Sequence, residues 1–196
     1  MPDIPIDPEV VAEARLVSEA LGGSQSAFEQ IVRRYQRPVL SLIARMTGDR
    51  ALAEDLAQET FVKAFRHLKR FDRSRRFSSW LFRIAHNTTL DTLRKVRPQV
   101  LALEASGDGD PQREVAAAPL PDLVEQAALG AALNQALQSL RPEYRAAIAL
   151  RYDQDLSFDE IGHILGVPEV TARTYVHRAR KELARSLALA GWTPSR

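Results

Sequence analysis

Apolar residues recur at helical spacing along nearly the whole chain, and they alternate nowhere long enough to write a strand. A short helix is predicted over 8–21, ended by Gly22-Gly23-Ser24. Ser26 and Glu29 have capping-box spacing and predict the start of a second helix. Phe28, Ile31, Val32, Tyr35, Val39, Leu42, Ile43 and Met46 form its apolar side, and Thr47-Gly48-Asp49 ends it. A third helix carries Leu52, Leu56, Phe61, Phe65 and Leu68 as its apolar set. "FDRSRRF" (71–77) reads as a loop, and a fourth helix is predicted over 78–96.

The pattern then lapses. Residues 97–121 hold four prolines, two glycines and no aromatic residue, the composition of a linker. Asp122 and Glu125 form a second capping-box pair where helical periodicity resumes. Pro142 suits the first turn of the next helix, and Ser157 with Glu160 caps the one after. A last helix is expected from near Pro168 to Leu189. The expectation is an all-α chain: a lead (1–19), a helical domain (20–96), a linker (97–121), a second helical domain (122–190) and a tail (191–196).

Charge sharpens this division. The formal net charge of the 196 residues is only +2, yet 61–97 sets eleven basic residues against two acidic ones, and 98–128 sets six acidic against one basic. A basic domain edge beside an acidic tether points to contact with phosphates at one place. The chain has no cysteine, which excludes a disulfide scaffold and thiolate metal sites and fits a reducing cytoplasm. No apolar run is long enough to span a bilayer, and the acidic N-terminus lacks the form of a signal peptide, so no membrane insertion is expected. No nucleophile, phosphate loop or metal cluster stands out, and His67, His86, His163 and His177 lack ligand spacing with one another. The expectation is a non-enzymatic protein without cofactor or metal.

Three stretches carry chemistry. In "FDEIGHILGVPEVTARTYVHRAR" (158–180), Ile161, Leu165, Val167, Ala172 and Tyr175 supply the apolar positions of two crossing helices, with Gly166 at the turn. Glu169, Thr171, Arg173, Thr174, His177, Arg178 and Lys181 are then free to meet base edges and phosphates in a major groove. Such a helix-turn-helix points to DNA without selecting a regulator class. In "AEDLAQETFVKAF" (53–65), Leu52, Leu56, Phe61, Ala64 and Phe65 look inward, while Asp55, Gln58, Glu59 and Val62 form one outward stripe. In "RSRRFSSWLFRIAHN" (73–87), arginines sit directly on aromatics. Arg73, Arg75 and Arg76 occupy the loop. Arg83, His86, Asn87, Leu90 and Arg94 share one face of the following helix, with Phe77, Trp80, Leu81, Ile84 and Ala85 on the other. Cations beside flat apolar surface suit unstacked bases.

Taken in order, "AEDLAQETFVKAF", "FSSWLFRIAHNTTLDTLRK" and "LSFDEIGHILGVPEVTARTYVHRARKEL" resemble the extracytoplasmic-function (ECF) group of bacterial sigma factors, which keep only sigma domains two and four. The resemblance covers residues 20–187. It implies that Asp55, Gln58, Glu59 and Val62 dock on the clamp helices of the polymerase β′ subunit. It also implies that Arg73, Arg75, Arg76, Phe77, Arg83, His86, Asn87 and Arg94 melt and hold the −10 element. The terminal helix-turn-helix would read the −35 element, with the β flap as a further polymerase contact and an anti-sigma factor as a controlling partner. The acidic linker, with Asp108, Asp110 and Glu114, reads equally as a nucleic-acid mimic in the RNA path or as a solvated tether.

Overall fold

The computed structural model describes residues 8–104 and 121–192, with side chains described for 11–95 and 127–192. Among the described residues the chain is helical throughout: α1 (Pro8–Leu21), α2 (Gln25–Thr47), α3 (Arg50–His67), α4 (Phe77–Glu104), α5 (Pro121–Ser139), α6 (Pro142–Tyr152), α7 (Phe158–Leu165) and α8 (Glu169–Leu189), with a 3₁₀ turn at Leu68–Arg70. The predicted order of helices holds, with two boundary corrections. Ser24, not Ser26, caps α2: its side chain accepts from the Ala27 amide, so the helix opens at Gln25. The fourth helix continues to Glu104, into the stretch assigned to the linker. The Asp122–Glu125 pair and the acids at 108, 110 and 114 lie outside the described side chains.

Local chemistry explains the other ends. Asp49 accepts from the Leu52 amide and starts α3, directly after Gly48 (φ 74°) closes α2. Pro142 occupies the first turn of α6. Ser157 and Glu160 form both halves of a capping box at α7.

In the first block α2 runs through the middle, packed against α1, α3 and α4. Ile31, Val39, Leu42, Ile43 and Met46 are its buried face. The buried positions of α3 are mostly small, Ala53, Ala57, Thr60 and Ala64, which lets the helices approach closely. Phe65 is correspondingly not inward, as its size suggested: it is 60% exposed and meets Phe28 edge-on at 5.0 Å. In the second block α8 packs against α5, α6 and α7 through Ala172, Val176 and Ala179.

The blocks pack on each other, α6 against α2 and α7 against α4, and one apolar core runs through both. Polar contacts line the seam. Arg45 Nε meets Asp153 Oδ2 at 3.2 Å, Arg76 Nη1 meets Glu160 Oε1 at 2.8 Å, and Arg75 Nη1 lies 3.0 Å from His163 Nδ1.

Within the helix-turn-helix, Gly162 packs directly on the turn and the first residue of α8. A Cβ there would stand 2.7 Å from the Val167 carbonyl oxygen, a backbone atom that cannot swing away. Gly162→Ala is expected to destabilise the chain by about 1–3 kcal/mol. Thermal melting should show it as a midpoint lower by roughly 2–4 °C per kcal/mol.

The seam also carries a pH dependence. Burial alone would raise the Glu160 carboxyl, but the Ser157 amide and hydroxyl and the Arg76 guanidinium outweigh it and hold Glu160 below its usual range. Burial, then the charges of Arg75 and Arg83, push His163 down, against a smaller pull from Asp159. Burial likewise pushes His86 down, opposed by Asn87 and Glu143 and assisted by Arg94. A histidine pulled down disfavours the packed form once solution pH falls below its ordinary pKa, about 6.5. A carboxyl pulled down contributes fully above its ordinary pKa, and the contribution disappears as pH falls through the lowered one. Packing of the blocks should therefore weaken in two stages on acidification, below about pH 6.5 and again below about pH 4.5. A dye pair on α3 and α8 reports both, and Glu160→Gln should remove the lower stage.

Candidate nucleic-acid and polymerase interfaces

The 72–76 loop is fixed at its base. Asp72 Oδ1 accepts from the Ser74 amide at 2.9 Å, and the Arg75 amide bonds the Asp72 carbonyl at 3.1 Å. The Ser74 amide and hydroxyl, with Arg75 beside them, hold the exposed Asp72 carboxyl below its usual range. Phe71 and Phe77 flank the loop and meet at 5.4 Å, and each lies 5.4 Å from Trp80. Tyr35 closes the cluster at 5.8 Å from Phe77. Burial, then the neighbouring Glu13 carboxylate that accepts its hydrogen bond, push the Tyr35 hydroxyl far above its ordinary pKa. Arg73, Arg75 and Arg76 project from this base into solvent or toward the second block.

Two residues expected on the −10 face are buried in this arrangement. Phe77 is 3% exposed, held among Tyr35, Phe71 and Trp80. His86 is 2% exposed and its Nε2 has no partner. The reason is that α4 is covered from two directions, by α2 and α3 on one side and by α7 on the other, so its open sector is narrower than its periodicity suggests. Arg83, Asn87 and Arg94 remain exposed on it. Trp80 is half-buried, in the cluster where it was expected.

On α3, Asp55, Gln58, Glu59 and Val62 are all exposed, and Glu59 pairs with Lys63 at 2.7 Å. Lys63 in turn donates to the Thr88 hydroxyl at 3.1 Å, which ties this surface to α4. Phe65 extends the stripe beyond Val62 as exposed apolar surface, a contribution hidden in the sequence by its apparent core periodicity.

On α8, burial of Ala172, Val176 and Ala179 turns Val170, Thr174, His177 and Lys181 to the centre of the opposite face. Glu169 and Arg173 form one shoulder, Thr171 and Arg178 the other. Arg173 is held in place: it pairs with Glu169 at 2.9 Å and lies 5.0 Å over the Phe158 ring, whose company also includes Arg151 at 5.1 Å. Arg178 donates to the Tyr144 hydroxyl at 3.4 Å. Val170 was not among the expected readers, yet it is 74% exposed in the first turn of this helix.

Among the described residues no helix is long and apolar enough to cross a membrane, and no group of three His, Asp or Glu side chains could hold a metal ion.

Comparison with known proteins agrees with this arrangement. The family model Sigma-70 region 2 matches residues 31–98, and Sigma-70, region 4 matches residues 130–183. The chain is 38% identical to the ECF RNA polymerase sigma factor SigW of Bacillus subtilis, over 87% of this chain and 94% of SigW. It is 36% identical to the ECF sigma factor SigE of Mycolicibacterium smegmatis, over 93% of this chain and 71% of SigE. Among solved structures, CnrH in complex with the cytosolic domain of CnrY matches with a TM-score of 0.66 and 25% identity, covering 91% of this chain and 98% of CnrH. With both family models matched in order and relatives 38% and 36% identical over most of its length, the chain belongs to the extracytoplasmic-function group of RNA polymerase sigma factors.

Proposed function

We propose that the chain directs core RNA polymerase to its promoters by dividing the work between three surfaces. The α3 stripe of Asp55, Gln58, Glu59 and Val62, with Phe65, docks on the clamp helices of the β′ subunit. The face of α8 reads −35 DNA in the major groove, Arg173 being preset by Phe158 and Glu169. The 72–76 loop, with Arg83, Asn87 and Arg94, holds the unpaired −10 strand. The assigned domains are 20–96 for polymerase and −10 binding and 122–190 for −35 binding, with the β flap as a second polymerase contact.

The observation that carries the reading is a loop with three arginines whose two ends are anchored in one aromatic cluster. Such a loop presents cations at a fixed place, which is what a strand lifted from a duplex needs. No step calls for a nucleophile or cofactor, so the chain acts by binding, in the cytoplasm where its polymerase resides. An anti-sigma factor is the expected controlling partner. The sigma factor RpoE of Bartonella quintana, solved with the anti-sigma factor NepR, has the same fold at 24% identity.

Two experiments test the division. Changing Asp55 and Glu59 together to lysine should abolish holoenzyme formation on a native gel. Stability should move by only about 0.5 kcal/mol, because both residues are exposed. Changing Arg75 and Arg76 together to alanine should leave polymerase and −35 binding intact but remove permanganate-reactive thymines at a duplex promoter. Activity should return on a template already mismatched at −10, where the unpairing cost of a few kcal/mol is gone. Equal defects on both templates would make these arginines mere anchors.

A further inference from the structure

A cleft of about 590 Å³ lies where α5 of the second block packs on α2 of the first, and none of the three surfaces above uses it. The volume is within the range of small-ligand sites, roughly 300–1,000 Å³. Arg37 and Arg45 of α2 and Arg50 at the start of α3 line one wall. Asn134, Gln135 and Gln138 of α5 line the other, and Leu40 and Leu137 add apolar surface from each side. Among the described residues no carboxylate lines the cleft.

Its positive charge is poorly met within the chain. Arg37 is exposed, and its side chain has no ion pair or hydrogen bond among the described residues. Arg45 meets Asp153 at 3.2 Å and Arg50 meets Glu54 at 3.1 Å, but both contacts use Nε and lie in solvent-accessible positions. Exposed pairs of this kind are weak and exchange readily for a better anion. Behind the α5 wall sits Arg145 of α6, 8% exposed, which donates to Gln138 Oε1 and has no ion pair among the described residues. A buried cation without a counter-anion adds to the positive potential in front of it. Gln138 in turn rests on Gly48, where any side chain would have to push its carboxamide aside.

We propose that this cleft binds a nucleoside di- or triphosphate, with its phosphates on Arg37, Arg45 and Arg50 and its base against the carboxamides of α5. Guanidinium forks match phosphate oxygens in pairs, and three of them suit a run of phosphates better than a single one. A carboxamide offers a donor and an acceptor side by side, as a base edge requires. Leu40 and Leu137 give the flat ring an apolar seat. A groove that tracks a nucleic-acid strand is basic along its length and carries aromatic platforms, whereas this one pairs a cationic wall with a neutral, amide-bearing wall. Because its walls come from different blocks, the ligand binds the packed arrangement and not the separated blocks. Occupancy therefore stabilises packing by mass action and keeps Arg76 on Glu160 and Arg75 on His163.

The test uses the full chain alone, without polymerase or DNA, so it stands apart from the promoter reading. Calorimetric titrations compare ATP, GTP, CTP and UTP with their monophosphates and with inorganic triphosphate. At least one nucleoside triphosphate should bind about tenfold more tightly than either control, and Arg37→Ala should weaken it about tenfold, the order expected for one charge-assisted contact. Gln135→Ala should weaken the nucleotide but not inorganic triphosphate. Arg33→Ala, an exposed change on α2 outside the cleft, should alter neither. All three side chains are exposed, so the variants should melt like the wild type. The bound nucleotide should also keep the dye pair on α3 and α8 close at acid pH, where the blocks otherwise part. Absence of binding by all four nucleotides, or an equal loss with Arg33→Ala, would overturn the site. Inorganic triphosphate binding as tightly as the nucleotide would overturn the base assignment. Binding that ignores Gln135→Ala and leaves the dye pair unmoved would overturn the two-walled cleft. Loss of duplex capture by the Arg37→Ala holoenzyme, with nucleotide binding intact, would give the arginine wall to DNA and overturn the proposal.

Discussion

Phe71 and Phe77 stand at the two ends of the 72–76 loop, and their rings meet at 5.4 Å over the Trp80 indole. That contact sets the geometry of everything the loop carries. Each ring is worth burying for its area alone, and aromatic pairs in tilted or edge arrangements add about 0.5–1.5 kcal/mol. With the ends held together, the Asp72 side chain and carbonyl can satisfy the Ser74 and Arg75 amides, and the arginines are left pointing away from the core. Between this loop and α1 lies a cavity lined by Glu13 and Val17 on one side and by Phe71 and Phe77 on the other.

The arginines are not idle in the packed arrangement. Arg76 lies on Glu160 and Arg75 on His163, both from the first helix of the helix-turn-helix. Glu160 has two duties, since it also completes the capping box with Ser157. The Arg76 side chain is 58% exposed, and pairs of that kind are worth only about 0–1 kcal/mol. DNA phosphates can replace such partners at small cost. The apolar seam between α4 and α7 and between α2 and α6 is the larger obstacle to separating the blocks.

Much of the fold was legible because its signals are local. Ser157 with Glu160, Gly166 at φ 69° and Pro168 at the cap each act within a few residues, and the helix-turn-helix follows from them. Where sequence reading missed, the cause was tertiary. Ser24 and Ser26 are both able to cap α2, and only the turn through Gly23 at φ 95° favours the first. Phe65 has core periodicity, but α3 approaches its neighbours through alanines and leaves the ring at the rim. His86 and Phe77 lie on α4 in line with exposed positions or at its start, and become buried because α7 and the aromatic cluster cover them. Glu13 carried no sequence signal at all. Its hydrogen bond to Tyr35 is visible only once α1 folds back against α2.

The central claim is that the 72–76 loop grips an unpaired −10 strand. A photo-crosslinking amino acid placed at Ser74, at the exposed tip of the loop, tests it directly in holoenzyme on a duplex promoter. The account predicts crosslinks to one strand within the −10 region, formed at temperatures that permit opening and absent at temperatures that do not. Crosslinks of equal strength to both strands, unaffected by temperature, would contradict it.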